Sequence, residues 1–251
     1  MAHKIAISIH KGGTGKTVTA MALSAGLARA GKRTLLLDLD PQGHCSLGLG
    51  VELGEADYII TNLFRSPPQP VTKVMRETGV KGLYIVPSDI RLAPQAEHLY
   101  GHPRRADVLK AALTSVENEF EFIVMDCPPA LGPFTDMALG AADLVLIPVQ
   151  MEARATDALV DLLERITLIK GESFNNWRIL RTRMDSRKTV TNEAVQAALE
   201  DWQGKLFETI IPQSEPLNQA QIERTDIFSF DPKSKGALAY EELTQELLKH
   251  F

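Results

Sequence analysis

The chain has little cysteine, and its cysteines are not spaced as metal ligands. It contains two in 251 residues, Cys45 and Cys127, which lie far apart. Zinc sites and disulfide scaffolds use paired or regularly spaced cysteines. The sequence therefore argues against both, and we expect two reduced thiols, as in cytoplasmic proteins.

Long apolar runs are also lacking. No run approaches the roughly 18 residues that a membrane-spanning helix needs, and no charged-then-apolar leader precedes the first predicted strand. We therefore expect a cytoplasmic protein without a membrane partner. The net charge of −5 argues against a surface that is basic throughout, although it is compatible with a local basic patch for nucleic acid.

The length and the 44% hydrophobic fraction suffice for one sizeable core, and we expect one domain over residues 1–251. Apolar runs that are continuous, rather than alternating, are typical of strands covered on both faces. The predicted strands are 5–9, 34–37, 83–86, 122–125, 144–149, 179–180 with flanking residues, and 207–211; the predicted helices are 16–30, 105–118, 155–170, 193–202 and 236–249. This order predicts an α/β fold with a doubly wound, mostly parallel sheet and helices on both faces. The segment 51–81 is predicted to be a surface connection.

A glycine-rich loop follows the first predicted strand. It reads Lys11-Gly12-Gly13-Thr14-Gly15-Lys16-Thr17 and continues into Val18. Its glycines allow several N–H groups to point at one anion, and the following helix adds its positive N-terminal end. In such a P-loop, Lys16 reaches the β- and γ-phosphates and the Thr17 hydroxyl binds Mg²⁺. His10 stands where the usual motif has glycine, and Lys11 adds a second lysine at the head of the loop.

Acidic residues follow two further strands. Asp38 and Asp40, in the run Asp38-Leu39-Asp40-Pro41-Gln42-Gly43, lie on the same side of the second strand at its carboxyl end. One of them can orient an attacking water or hold a metal-bound water. We favour Asp40, whereas Asp38 fits equally well as the cap of a turn or helix. Asp126 ends the fourth strand, before Cys127-Pro128-Pro129, and is predicted to help hold Mg²⁺.

Taken together, these segments resemble the ParA/Soj partition ATPases of the MinD/ParA superfamily, which are P-loop NTPases of the deviant Walker A type. The resemblance extends through Ile147-Pro148-Val149-Gln150, Ile211-Pro212 and Asp231-Pro232-Lys233-Ser234-Lys235-Gly236. It implies Mg²⁺-dependent hydrolysis of ATP to ADP and phosphate, in a homodimer that forms with ATP. Lys11 would then cross to the partner's phosphates, and Asp40 would orient the water.

The resemblance also implies roles for individual residues. The catalytic residues would be Lys11, Lys16 and Asp40, and the metal would be held by Thr17, Asp40 and Asp126. The nucleotide would be bound by Lys11, Gly12, Gly13, Thr14, Gly15, Lys16, Thr17, Val18, Asp126, Glu152, Met184, Pro212 and Ser214. Of these, Met184, Pro212 and Ser214 would line the adenine pocket. Glu152 would contact nucleotide across the dimer, although a solvated carboxylate at a helix start fits it equally well.

Non-specific DNA and a small adaptor are the partners that the resemblance implies. Phosphate contacts would come from Arg181, Arg183, Arg187, Lys188, Lys233 and Lys235, and affinity should fall steeply with salt. A ParB-like or other small adaptor would stimulate hydrolysis. The cargo would be plasmid or chromosome DNA on the nucleoid, or alternatively a protein cargo such as carboxysomes or chemoreceptor arrays.

Two other classes of ATPase can be compared with this sequence. A membrane-cycling ATPase similar to MinD would carry a basic amphipathic tail; the segment 240–251 has an apolar stripe at Leu243, Leu247 and Phe251, but three glutamates beside one lysine. Anionic lipid would repel these glutamates, so core packing is the better explanation of the stripe. An iron–sulfur ATPase would need its two cysteines in a cluster setting, which Cys45 and Cys127 do not occupy.

Overall fold

An eight-stranded sheet forms the centre of the computed structural model, which describes residues 1–152 and 156–251. The strands are β1 His3–Ile7, β2 Thr34–Asp38, β3 Arg76–Glu77, β4 Leu83–Val86, β5 Phe122–Asp126, β6 Leu144–Gln150, β7 Trp177–Met184 and β8 Leu206–Pro212. They lie in the order β3-β4-β2-β5-β1-β6-β7-β8. All pairings are parallel except that of β3 with β4.

Helices cover both faces of this sheet. They are α1 Lys16–Arg29, α2 His44–Gly48, α3 Val71–Val74, α4 Gln95–Tyr100, α5 Arg105–Leu113, α6 Pro133–Ala141, α7 Asp157–Lys170, α8 Thr189–Ala198, α9 Glu215–Ile222, α10 Ile227–Phe230 and α11 Lys235–His250, with 3₁₀ turns at Ile60–Leu63, Ile90–Leu92 and Glu200–Lys205. Residues of α5, α6 and α7 belong to one core cluster, and residues of α1 and α11 belong to the other. The predicted α/β fold with a doubly wound sheet is thereby confirmed.

Burial on two faces explains the continuous apolar runs of the strands. In β1, Ile5 and Ile7 belong to one core cluster, whereas Ala6 belongs to the other. All three side chains are fully buried. Since successive side chains of a strand point to opposite faces, a strand between two helical layers needs an apolar residue at every position.

The predicted elements agree with the structure for the buried strands, whereas one short strand and several helices, among them the buried helix α6, were not predicted. The two-residue strand β3 and the helices α6 and α9 were not predicted, and the helix predicted at 193–202 lies at Thr189–Ala198. The prediction that 51–81 is only a surface connection is wrong, because four of its apolar side chains pack in the core: Ile60, Leu63, Val71 and Val74. The helix predicted at 155–170 is observed at Asp157–Lys170, and residue 155 lies outside the described residues.

The last helix is joined to the edge strand β8 by a carboxylate. Glu246 accepts hydrogen bonds from the backbone N–H groups of Glu208, at 2.7 Å, and Thr209, at 3.0 Å, and from the Thr209 hydroxyl at 2.7 Å. On the same helix, Leu243 and Leu247 are fully buried. The tail's apolar stripe is therefore core at these two positions.

None of the helices in residues 1–152 and 156–251 combines the length and the apolar composition that crossing a bilayer requires.

Candidate nucleotide-binding site

The candidate site lies at the carboxyl ends of three neighbouring central strands. β5 lies between β1 and β2, and its last residue, Asp126, is in register with Ile7 of β1 and with Asp38 of β2. The glycine-rich loop follows β1 directly. In parallel sheets, ligands bind in the crevice beyond these strand ends. The fold thus brings the loop and both predicted acidic segments to one place.

The glycine-rich loop has a backbone shape that glycine favours. Gly13 and Gly15 have φ angles of 77° and 89°, in the left-handed region where other residues are strained. Gly15 is the N-cap of α1, and no side chain caps this helix end. The first N–H groups of α1 therefore point into the loop without a side-chain acceptor, as in a site for an anion.

The loop lysine lies folded over its own loop. The Lys16 side chain is mostly buried, with 7% of the residue exposed, and its Nζ donates a hydrogen bond to the Lys11 carbonyl oxygen at 2.8 Å. Burial lowers the pKa of Lys16, an effect that the nearby Asp126 carboxylate opposes. The ammonium group is thus held within the loop, where phosphates can replace the carbonyl as its partner.

A hydroxyl and a buried carboxylate form the candidate magnesium site. The Thr17 hydroxyl donates to Oδ2 of Asp126 at 2.8 Å, and the Cys45 thiol donates to the same oxygen at 3.2 Å. Burial, and next the Asp38 carboxylate, raise the pKa of Asp126 to about 7. Its Oδ1 has no hydrogen-bond partner among the described residues. A buried carboxylate with an unused oxygen beside a hydroxyl fits Mg²⁺, which prefers oxygen ligands.

Asp38 lies beside the Asp126 carboxylate, but its own carboxylate oxygens accept hydrogen bonds from the residues that follow β2. It accepts hydrogen bonds from the N–H of Ser46 at 3.0 Å, the Ser46 hydroxyl at 2.9 Å and the N–H of Asp40 at 3.2 Å. Ser46 lies in the first turn of α2. Burial raises the pKa of Asp38 to about 6. The sequence left two roles open for Asp38: binding water or metal, or capping a turn or helix. These hydrogen bonds support the capping role.

Asp40 is a second acidic residue near the loop lysine. Its Oδ1 accepts a hydrogen bond from the N–H of Gln42 at 2.9 Å, and 8% of the residue is exposed. The Asp40 carboxylate is near enough to Lys16 to raise the pKa of that ammonium. Asp40 therefore lies close to the glycine-rich loop, and its Oδ2 takes no part in the turn that Oδ1 forms with Gln42.

The second lysine of the loop points toward the end of β6. Lys11 Nζ lies 2.9 Å from Oε1 of Glu152, and the two side chains are 29% and 41% exposed. The neighbouring His10 places Nε2 3.0 Å from Oδ2 of Asp161 on α7. Two residues at the head of the loop thus contact Glu152, which follows β6, and Asp161 on α7. The structure brings together Lys11 and Glu152, for which the resemblance implied separate roles.

Two contacts to the loop were missed in the sequence. The Thr182 hydroxyl donates to the Thr14 carbonyl oxygen at 2.8 Å, and Nη1 of Arg183 donates to the Gly13 carbonyl oxygen at 2.9 Å. Arg183 has a φ of 54°. Both side chains lie at the end of β7, and the sequence analysis had assigned Arg183 to DNA instead. These two hydrogen bonds use the carbonyl oxygens of Gly13 and Thr14 and so anchor the loop to the end of β7.

Comparison with known proteins relates this site to a family. A family model described as an AAA domain matches residues 2–180. The chain is 35% identical over 246 residues to the sporulation initiation inhibitor protein Soj of Bacillus subtilis, with 97% of each chain covered. It is 36% identical over 250 residues to the chromosome partitioning protein ParA of Myxococcus xanthus, covering 98% of this chain and 87% of that protein. The chain belongs to the ParA/Soj family.

Solved structures share the architecture of this ParA/Soj member. A cobyrinic acid a,c-diamide synthase from Mycobacterium smegmatis, solved with a bound ATP analogue and magnesium, is 28% identical with a TM-score of 0.85, and the match covers 100% of this chain and 96% of that one. The apo McdA of Cyanothece has a TM-score of 0.87 at 24% identity, with 99% and 100% covered. The latter likeness concerns the fold alone.

The residues that the ParA/Soj resemblance assigns to adenine are partly brought together. Met184 and Pro212 are paired across β7 and β8 and line one cavity of about 540 Å³. Ser214 is the N-cap of α9 and is not among the lining residues of that cavity. Val18 packs at the start of α1 against the core. The cavity thus contains two of the three predicted adenine contacts.

The six cations assigned to DNA fall into separate environments. Lys188, Lys233 and Lys235 are exposed, and Arg187 is exposed but pairs with Asp185 at 2.8 Å. Arg181 instead donates to the Gln196 side chain at 3.0 Å and to the Phe207 carbonyl oxygen at 2.9 Å. Arg183 lies at the phosphate loop, as described above. Five of the six are therefore exposed, and Arg183 is one of them although its guanidinium is bonded to the loop.

Proposed function

We propose that this chain is an ATPase that dimerises with ATP and positions a DNA cargo, built on one ParA-type domain over residues 1–251. The observation that supports this most is the half-buried second lysine, Lys11, whose Nζ lies against Glu152 at the rim of an otherwise complete phosphate loop. An ordinary P-loop needs only the lysine that precedes α1. A further ammonium group that is not directed at the loop's own anion site suits delivery to a second copy.

The residues of the site support binding of ATP and Mg²⁺. ATP with Mg²⁺ supplies the phosphoryl group whose transfer to water is the reaction. Lys16 would exchange the Lys11 carbonyl for phosphate oxygens, and the N–H groups of Gly13 and Gly15 would face the same anion. Thr17 and Asp126 would hold the metal. Asp40 would hold and orient the attacking water.

Dimerisation would complete the site. Lys11 has to leave Glu152 to reach a partner's phosphates, and this pair is partly exposed, so its separation costs only about 0–1 kcal/mol. A cation delivered in trans to developing charge contributes roughly 10³–10⁵ in rate in related phosphoryl transfers. Glu152, once released, would be free to contact the partner's nucleotide. Hydrolysis would remove the γ-phosphate that the partner's lysine contacts, and the dimer would then separate.

The proposed nucleic-acid partner is DNA, bound without regard to its sequence. Arg187, Lys188, Lys233 and Lys235 are exposed. Exposed lysines and arginines contact phosphates rather than bases, so binding should be independent of sequence. The protein acceptors bound by Arg181 and Arg183 argue against these two as DNA contacts.

A ParB-like or other small adaptor would stimulate hydrolysis and carry the cargo. The two relatives described above are named for sporulation control and for chromosome partitioning, which favours plasmid or chromosome DNA over a protein cargo. The protein would then act in the cytoplasm, on the nucleoid. A tail whose leucines are buried in the core gives no support to a membrane-cycling role.

Two lysine variants test the proposal. Lys16→Ala should abolish binding of a fluorescent ATP analogue, because it removes the cation within the loop. Lys11→Ala should bind the analogue nearly as tightly, yet remain monomeric in size-exclusion chromatography with light scattering in the presence of Mg²⁺ and ATPγS, and lose hydrolysis. Lys249→Ala, an exposed change on α11, is the control. Equal loss of nucleotide binding in Lys11→Ala and Lys16→Ala would contradict a role for Lys11 in trans.

A further inference from the structure

A thiol and two carboxyl groups converge beside the phosphate loop. One ligand atom each of Asp38, Cys45 and Asp126 lies within 4.8 Å of the others, and Cys45 Sγ lies 3.2 Å from Oδ2 of Asp126. Two ligands of one tetrahedral zinc-type ion are roughly 3–4 Å apart, because the bonds are about 2.0–2.3 Å long. The three side chains therefore need only a small movement to bind one ion together.

The two carboxyl groups of this cluster form no ion pair with the protein. Asp38 and Asp126 are fully buried and lie side by side, since they are in register across β2 and β5. Neither is paired with a lysine, arginine or histidine in residues 1–152 or 156–251. Lys16 interacts with Asp126 only at longer range, and its ammonium group donates to the Lys11 carbonyl oxygen. Buried carboxylates are normally paired or bind a metal, so the cluster suits a dication.

Each carboxyl group has an oxygen that can accept a further ligand. Oδ1 of Asp126 is buried and has no hydrogen-bond partner in the described part of the chain, which is unfavourable for a buried acceptor. Oδ1 of Asp38 accepts one hydrogen bond, from the N–H of Asp40. A carboxylate oxygen has two lone-pair positions. An ion between the two strands can therefore bind both residues without breaking the bonds that Asp38 makes to Ser46.

The sulfur decides which class of metal the cluster fits. Mg²⁺ prefers oxygen ligands and does not use a thiol, whereas thiolates favour ions such as Zn²⁺. Burial, and next the Asp126 carboxylate, raise the pKa of the Cys45 thiol, so the metal-free protein keeps this proton. A thiol that coordinates a metal is deprotonated, because the ion replaces the charge of the proton. The proton passes to the solvent as the metal–sulfur bond forms.

Hydrogen bonds around α2 hold Cys45 in place. Its neighbour Ser46 donates two hydrogen bonds to Asp38, from the N–H at 3.0 Å and from the hydroxyl at 2.9 Å. The Ser46 hydroxyl also accepts a hydrogen bond from the N–H of Ser88 at 3.0 Å. The turn before α2 has no spare room, because a Cβ at Gly43 would lie 2.5 Å from the Ser88 carbonyl oxygen. Surrounding contacts of this kind orient metal ligands.

We propose that Asp38, Cys45 and Asp126 bind a thiophilic divalent cation of the zinc class. The sulfur and one oxygen of each carboxylate would be three ligands, and a water or the nearby Thr17 hydroxyl would be the fourth. Binding needs no nucleotide. Because Asp126 also belongs to the candidate Mg²⁺ site, the bound ion would oppose Mg²⁺–nucleotide binding, a consequence that rests on the proposed function.

Cobalt(II) is the probe that tests this proposal, because a thiolate bound to cobalt gives a charge-transfer band in the near ultraviolet. Titration of the reduced full chain without nucleotide should give a sulfur-to-cobalt band that saturates at one ion per chain. Zn²⁺ should then remove the band by displacing cobalt. Absence of the band, or cobalt binding that shows oxygen ligands alone, would overturn the proposal.

Two cysteine variants assign the sulfur. Cys45→Ser should abolish the band and weaken Zn²⁺ binding about tenfold or more, as measured by competition with a fluorescent zinc chelator. Cys127→Ser is the matched control and should keep the band, since Cys127 is also buried but does not belong to the cluster. A band that survives Cys45→Ser, or an equal loss in Cys127→Ser, would refute the assignment.

Cadmium NMR of the unmodified chain keeps the test meaningful if a variant fails to fold. The chemical shift of bound cadmium depends strongly on the number of sulfur ligands. It should correspond to one thiolate among oxygen ligands, and a shift typical of oxygen ligands alone would contradict the proposal.

Lys16→Ala separates this site from the proposed function. The variant should lose nucleotide binding yet keep the cobalt band, because Lys16 is not a ligand of the ion; loss of the band as well would contradict independent binding. In the wild-type protein, saturating Mg²⁺–ADP should diminish the band, with bound ADP measured in the same sample. Bound ADP beside an undiminished band would show that the two ions do not share Asp126 and would refute the competition.

Discussion

Protonation of the buried carboxylate at the metal site should couple nucleotide binding to pH. In the free protein, burial raises the pKa of Asp126 to about 7. Mg²⁺ needs the carboxylate, so binding must release the proton. If bound Mg²⁺ restores an ordinary pKa, the release at pH 6.5 is roughly 0.8 proton, and apparent Mg²⁺–nucleotide affinity falls about tenfold from pH 8 to pH 6, or ~1.4 kcal/mol.

Isothermal titration calorimetry measures this release. Heats of Mg²⁺–ADP binding in buffers of different ionisation enthalpy give the number of protons, and Asp126→Asn provides the matched chain without a titrating group. The variant should retain the hydrogen bond from Thr17 but bind more weakly, and its pH dependence should be only that of the nucleotide. Identical proton release by the wild-type protein and Asp126→Asn would refute the assignment of the proton to this carboxyl.

The same shift predicts how the ligand-free protein responds to pH. The folded pKa of Asp126 lies above its value of 3.8 in the unfolded chain, so the folded state binds the extra proton. Its contribution to the free energy of unfolding is therefore fully present below about pH 4 and is lost as pH rises through about 7. Asp126→Asn should be more stable than the wild type at pH 8, by an amount of the order of 1–4 kcal/mol, as measured by urea denaturation. A less stable variant at pH 8 would contradict this sign.

Three other perturbations follow from the structure. Asp40→Ala should leave ATP binding intact and slow hydrolysis, so that a stable dimer accumulates with ATP in size-exclusion chromatography; a monomer there would count against the water-orienting role. Arg187→Gln with Lys188→Gln should weaken binding to unrelated duplexes equally and reduce the salt slope by about 2, and unchanged DNA retention would locate the surface elsewhere. Gly140→Ala should lower the free energy of unfolding by ~1–3 kcal/mol, because its Cβ would collide with the backbone of Ala106 on α5. Gly204→Ala, where a Cβ meets nothing within 4 Å, is the control in thermal denaturation.

Local sequence signals predicted the strands and the glycine-rich loop because both depend on neighbouring residues. The continuous apolar runs Ile5–Ile7 of β1 and Leu144–Val149 of β6 reflect burial on two faces. The missing elements had weaker signals: β3 has two residues, and α6 begins at Pro133, in a segment rich in glycine and proline. Proline at the first turn is compatible with a helix, but after Pro128-Pro129 it was interpreted as loop.

Within the site, the contacts that the sequence could not predict are long-range. Thr182 reaches the loop across 168 residues and Arg183 across 170. Arg183 looked like one member of a basic stretch, because its sequence neighbours are arginines and lysines. Its left-handed backbone turns it toward Gly13, and no composition or spacing signals that turn. The pair of Lys11 with Glu152 depends in the same way on how β1 and β6 lie side by side.

Glu246 has a consequence for assembly. A protein that repeatedly associates with identical copies risks uncontrolled fibre growth if a sheet margin offers unsatisfied donors to a neighbour. Here a carboxylate from the last helix occupies donors of the outermost strand, and the opposite margin is only two residues long. In the proposed dimer, neither margin of the sheet would therefore recruit further copies by strand pairing.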